Sequence, residues 1–115
     1  MEIKIVENLI DINEIKEIAA HQFGDLVKTV VDIEHEIMAI GGDLHADEEA
    51  ILIQNGSVQQ NLWGINFYPE KDGSDRVEFD SMINLRPSQN NRSRDVENPK
   101  IREKIIKIVN ALVKA

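Results

Sequence analysis

The sequence predicts an α+β fold: a largely antiparallel sheet of about five strands with two main helices and one short helix, in a single globular domain spanning residues 1–115. Three observations predict it. Apolar and polar residues alternate in short runs such as "EIKIV" and "NLWGINFYP", which is the period of a strand. Two other segments, "DINEIKEIAAHQFG" and "NPKIREKIIKIVNALVKA", space their isoleucines at helical intervals behind a capping side chain. Strand-like runs also occur in adjacent pairs around turn-forming residues, which makes hairpins and therefore antiparallel neighbours.

The first strand falls within residues 2–6, where Ile3 and Ile5 alternate with charged neighbours. A helix follows, with Asp11 as its N-cap, Glu14 three residues on, and Gly24 as its stop. The density of β-branched residues in "DLVKTVVDIEHEIMAIGG" predicts a hairpin with strands near 27–33 and 36–41, although its turn has neither Gly nor Asn. "LHADEEAILIQNG" reads as a short helix ending at Asn55-Gly56. A second hairpin pairs "NLWGINFYP" with "DRVEFDSMINLRP" across "EKDGSD". Setting Phe67 opposite Val77 brings Ile65 to Phe79 and Trp63 to Ser81, so that Trp63, Ile65, Phe67, Val77, Phe79, Ile83 and Leu85 form one buried face. The other face then pairs Gly64 with Asp80 and Asn66 with Glu78, with Asn84 and Arg86 further along. Asn98 and Pro99 open the last helix as N-cap and first helical residue. This order predicts a sheet covered by helices on one face and leaves the strand order open.

Composition bounds the function. A chain of 115 residues that is 42% hydrophobic holds one core, and the lack of cysteine removes disulfides, thiolate nucleophiles and thiolate zinc sites. The formal charge of -8, from 21 acidic against 13 basic residues, makes nucleic acid an unfavourable partner. No apolar run approaches the ~20 residues needed to cross a bilayer, and Met1 leads directly into charged "EIKIVE", so no membrane association is expected and the cytoplasm is the expected location. Internal repeats and linker-like stretches are absent, and oligomeric state is not encoded in any readable pattern.

"VVDIEHEIMAIGGDLHADEEA", "GSVQQNLWGINFYP" and "DSMINLRPSQNNRSRDVENPKIREKI" resemble the successive signature segments of a family of small uncharacterised microbial proteins of unknown function. The similarity covers most of the chain, roughly from Phe23 onward. It implies a genuine single-domain protein and brings with it no activity, cofactor or catalytic residue.

Two polar constellations remain. In "GGDLHADEEA", Asp43, His45 and Asp47 would share one side if the segment were extended, which gives a metal or acid/base reading. The competing reading places Asp47, Glu48 and Glu49 in the first turn of a helix, where the dipole favours carboxylates. Neither a calcium-loop spacing nor "HExxH" is present, so no metal is expected. The nucleophile elbow, the dinucleotide fingerprint and the phosphate loop are also missing, and no cofactor is expected. His21, within the first helix, and His35, at the hairpin turn, read as structural or solvated, Trp63 and Phe67 as core, and Tyr68 as free to face a ligand.

The second constellation is "RPSQNNRSRDVENP". It gathers Arg86, Arg92 and Arg94 among Asn90, Asn91 and Ser93 ahead of the last helix, and guanidinium forks suit carboxylate or phosphate. Against this, the same arginines can pair with Asp80, Asp95 or Glu97 and pin the loop to the sheet. The leading functional reading is therefore a small binding domain for an anionic small molecule or a protein partner, using Arg86, Asn90, Asn91, Arg92, Ser93 and Arg94 with Asn66 and Asp80 on the adjoining sheet face. Its alternative is a hydrolase, with or without a metal, using Asp43, His45 and Asp47. The sequence does not decide whether the protein is an enzyme.

Overall fold

The computed structural model describes residues 2–115. The elements run β1 (Lys4–Val6), β2 (Ile10–Asp11), α1 (Ile12–His21), β3 (Val27–Asp32), β4 (Ile37–Ile40), α2 (His45–Gln54), β5 (Leu62–Phe67), β6 (Val77–Glu78), α3 (Pro99–Leu112) and β7 (Val113–Lys114). Five strands make an antiparallel sheet in the order β1-β4-β3-β5-β6, and β2 pairs with β7 in parallel as a separate two-stranded sheet. The α+β class stands.

The capping residues act as read. The Asp11 carboxylate accepts from Asn13 N at 2.8 Å, and the Asn98 side chain accepts from Lys100 N at 2.9 Å. In the first hairpin Asp32 substitutes for the missing turn glycine. Its Oδ1 accepts from the amides of Glu34 and His35 at 2.9 and 3.0 Å, while Glu36 takes the left-handed conformation at φ 57. Residues 33–36 therefore form a longer loop in place of a tight two-residue turn.

Helices cover both faces of the sheet, where one had been expected. Ile15 of α1 and Ile105, Ile108 and Val109 of α3 pack with Val27, Val31, Trp63, Ile65 and Phe67, whereas Leu52 of α2 packs with Val30, Ala39 and Leu62 on the opposite side. β5 requires this arrangement, because every residue of "LWGINF" is buried and both of its faces need a cover.

The second hairpin follows the expected register only at its start. Phe67 pairs with Val77 and Asn66 with Glu78, and β6 then ends. The chain turns away at Asp80, so the expected pairs Ile65–Phe79, Gly64–Asp80 and Trp63–Ser81 do not form. Steric fit enforces the turn: Ser81 lies over Gly64 so closely that a Cβ there would meet the Ser81 Cβ at 2.5 Å. The face is redistributed accordingly. Trp63, Ile65, Phe67 and Val77 stay buried and Phe79 is partly buried against the same core, while Ile83 packs on the α2 side and Leu85 is 43% exposed.

Asn84 fills the vacated edge of β5. Its Oδ1 accepts from Gly64 N at 2.8 Å, and its Nδ2 donates to the carbonyls of Gly64 at 2.9 Å and Arg94 at 3.0 Å. Replacing it leaves buried backbone groups without partners, each costing about 1–3 kcal/mol. Asn84→Ala should therefore lower unfolding stability by roughly 3 kcal/mol in urea titrations. Phe79→Ala, at a half-buried position, should cost roughly 1–2 kcal/mol, less than the 3–5 kcal/mol typical of a fully enclosed phenylalanine.

Candidate functional site

The loop from Arg86 to Glu97 is organised from within. Asn91 is 3% exposed, and its Nδ2 donates to the carbonyls of Asn84, Ser93 and Asp95 at 2.7, 3.1 and 2.7 Å. Its Oδ1 accepts from Glu97 N at 2.9 Å. The Ser93 hydroxyl donates to the Glu97 carboxylate at 2.7 Å, which also accepts from Arg92 N. Asn90 takes a left-handed conformation at φ 60 and ends a short 3-10 turn. Asn90 and Asn91 border a depression of about 410 Å³ shared with Trp63, Glu97 and the start of α3.

The three arginines do not converge as a fork. Arg86 turns inward, stacks on the Trp63 ring at 4.2 Å, and donates to the carbonyls of Gln59 and Leu62, so it is a brace for the β5 edge. Arg94 pairs with Asp80 through Nε at 2.7 Å. The Arg92 guanidinium is exposed and forms no ion pair among the described residues.

A second polar assembly lies on the sheet face under α2. Cross-strand pairing sets Lys28 beside Asn66 and Asn66 beside Glu78, so three polar side chains cross the sheet in a row. Asn66 Nδ2 and the Tyr68 hydroxyl both donate to Glu78 Oε1, at 2.8 and 3.0 Å, while the buried Oδ1 of Asn66 has no partner. The hydrogen bond from Tyr68 places the free aromatic of the sequence reading at the edge of this row. His45 enters from the first position of α2, where its Nε2–H donates to the Ile65 carbonyl at 2.7 Å. Asp80 and Arg94 stand near enough to His45 to influence its charge, as does Lys28. No side chain caps α2, because Leu44 holds its N-cap position.

Asp43, His45 and Asp47 diverge. Asp43 accepts from Gln22 at 3.3 Å, His45 points into the sheet, and Asp47 is exposed in the first turn of α2. Among the described residues no three His, Asp or Glu side chains come together as a ligand set. His21 is exposed, while the half-exposed His35 ring donates through Nδ1 to Asp32 at 2.8 Å. The buried Asp32 Oδ2 also accepts from Ser57 at 2.6 Å.

Sequence reasoning missed Lys28, Glu48 and this Asp32 cluster. Glu48 was readable from helical spacing: His45, Glu48 and Leu52 occupy one stripe of α2, and all three are buried. Glu48 is 0% exposed, with Oε2 accepting from Gly42 N at 3.0 Å and Oε1 unpartnered. Gly42 admits it, since a Cβ there would meet Glu48 Cγ at 2.9 Å.

Burial is the first cause of two large shifts in proton affinity. It pushes Glu48 up from 4.5 to about 9, against the hydrogen bond from Gly42, and it pushes His45 down from 6.5 to about 4, helped by Lys28 and Arg94. At neutral pH both side chains are uncharged. The raised Glu48 value contributes stability that is complete below 4.5 and is lost as pH rises toward 9; the lowered His45 value removes stability as pH falls from 6.5 toward 4. The exposed His35, raised by its hydrogen bond to Asp32, adds to the loss on the alkaline side. The difference between wild type and Glu48→Gln isolates the carboxyl. From pH 7 to 9 the variant should gain on wild type by up to about 1.4 kcal/mol per pH unit in denaturant titrations, and the gap should close near pH 4.

The chain belongs to the family described as protein of unknown function DUF5674, whose model matches residues 4–112. No curated protein and no solved structure matches it.

Proposed function

We propose that this member of the family is a cytoplasmic binding domain that takes a small anionic molecule at the α2-covered end of its sheet, beside the Arg86–Arg94 loop. One observation carries the reading. The Lys28 side chain is partly buried, with its ammonium over the Phe23 ring at 5.3 Å and no carboxylate partner among the described residues, in a chain with charge -8 and abundant carboxylates. A cation kept without a carboxylate under those conditions attracts an external anion.

Its surroundings support the same ligand class. The start of α2 has no side-chain cap, so its terminal amides add hydrogen-bond donors; Asp47 offsets part of the helix dipole, whereas Glu48, neutral at pH 7, does not. The Asn66 carbonyl oxygen is buried without a partner, so an anion that reaches it as the site opens is best served by a hydrogen-bond donor of its own, as in a hydroxy acid or a protonated phosphate. Asp80 steadies Arg94 at the border of the site, and Arg92 is the loop's exposed cation. Arg86, Asn90, Asn91 and Ser93 shape the loop that carries Arg92 and Arg94.

Thermal unfolding with phosphate, sulfate and hydroxycarboxylates at matched ionic strength tests this. A ligand at a hundred times its Kd should stabilise the protein by about 2.7 kcal/mol. Lys28→Met should abolish that stabilisation and Arg94→Ala should reduce it, with the unliganded Arg94→Ala protein losing no more than about 1 kcal/mol, the usual ceiling for an exposed ion pair. Loss of the response in Arg92→Ala but not in Lys28→Met would move the site onto the loop. No response to any of these anions would refute anion binding.

A further inference from the structure

A separate surface lies on the opposite side of the sheet. α3 carries Lys100, Lys104 and Lys107 at intervals that keep them on one face, and all three line a groove of about 740 Å³ with Ile108 and Ala111. The hairpin turn of residues 33–36 closes one side through Glu36, and Glu103 also lines the groove. None of the three lysines forms an ion pair among the described residues, in a protein whose acids outnumber its bases 21 to 13.

Their position runs against the helix that bears them. The first turn of α3 has no acidic residue, and Lys100 stands second in the helix, where the dipole favours carboxylates. Its last turn, where cations would be favoured, has none. A helix selected only for its own stability would reverse this distribution, and local conflicts of this kind concentrate where a protein meets something else.

We infer that the lysine face of α3 docks an acidic amphipathic segment of a partner protein. Charge complementarity selects the sign, and the lysine stems and Ala111, lying over the buried Ile108, select a peptide, whose apolar side chains can settle between the lysines. From Lys100 to Lys107 the helix rises on the order of 10 Å, which about two turns of a partner helix would span. Nucleic acid fits less well, because its unbroken line of phosphates would also face Glu36 and Glu103, whereas a peptide can set apolar side chains opposite them.

The test uses the full chain and a synthetic peptide in which pairs of glutamates alternate with leucine, followed by amide chemical shifts. Supporting results are saturable shifts confined to α3 and residues 33–36, with affinity falling at least about tenfold in Lys100→Glu/Lys104→Glu/Lys107→Glu. An unchanged Trp63 indole resonance in that variant shows that it remains folded. Equal peptide response in wild type and variant overturns the docking site, as does tighter binding of a single-stranded oligonucleotide than of the peptide. Concentration-dependent self-association abolished by the same substitutions would assign the face to a second copy and also overturn the proposal. Since Lys28 lies on the other face, Lys28→Met should leave peptide binding intact, which separates this result from the fate of the anion site.

Discussion

The hydrogen bonds between the Asn84 side chain and the backbone of Gly64 determine how the rest of the molecule is arranged. β6 stops after Glu78, and β5 would otherwise continue with an open edge at its centre. An unpaired N–H and C=O in the middle of a buried strand are costly, and the primary amide satisfies both with one donor and one acceptor. Gly64 permits the approach because it has no side chain to hold Ser81 away. Arg86 extends the repair to the Leu62 carbonyl while its guanidinium lies over Trp63.

From Asn84 the polar bonding continues outward. Its Nδ2 reaches the Arg94 carbonyl, its own carbonyl is held by Asn91, and Asn91 receives the amide of Glu97, the residue before the α3 cap. Sheet centre, loop and helix start are therefore linked through two asparagines. This linkage explains why the loop is rich in amides, and why one of its arginines is a structural brace. It also frees the sheet end. Because residues 79–84 leave the plane of the sheet, Asn66 and Glu78 stand at its margin with Tyr68, next to Asp80 and Arg94.

Local rules in the sequence described whatever depended on local contacts. Asp11 and Asn98 cap their helices by bonding two residues ahead, and the Phe67–Val77 pair lies at the mouth of the single loop of residues 68–76. The failures come from tertiary geometry. Alternation continues through "VEFDSMINL", but period-two patterning cannot register that Ser81 must sit on Gly64 or that one asparagine can stand in for a strand. Arg86 looked like an anion ligand because residue type specifies what a guanidinium can bind and not which carbonyls it will meet. Glu48 was read only as one of three first-turn carboxylates, although its place on the stripe with Leu52 set it facing the sheet. The candidate site was legible in part: Asn66, Asp80 and Arg94 were named from the sequence, whereas Lys28 was hidden in a strand whose neighbours only the fold identifies.

The small parallel pairing of β2 with β7 bears on how the chain acquires its structure. Ile10 and Val113 are joined across nearly the whole sequence, and both are buried in the main core. A chain leaving the ribosome presents residues 10–11 long before their partners exist, so this contact cannot form until synthesis of the domain is almost complete. Contacts so distant in sequence add chain-closure entropy and slow the search for the native state. Folding of this domain is accordingly expected to be a late, cooperative event in which Val113 and Lys114 latch onto the second strand. While Val113 is still inside the ribosome, Ile10 has no strand partner, and its apolar side chain is open to chaperone capture.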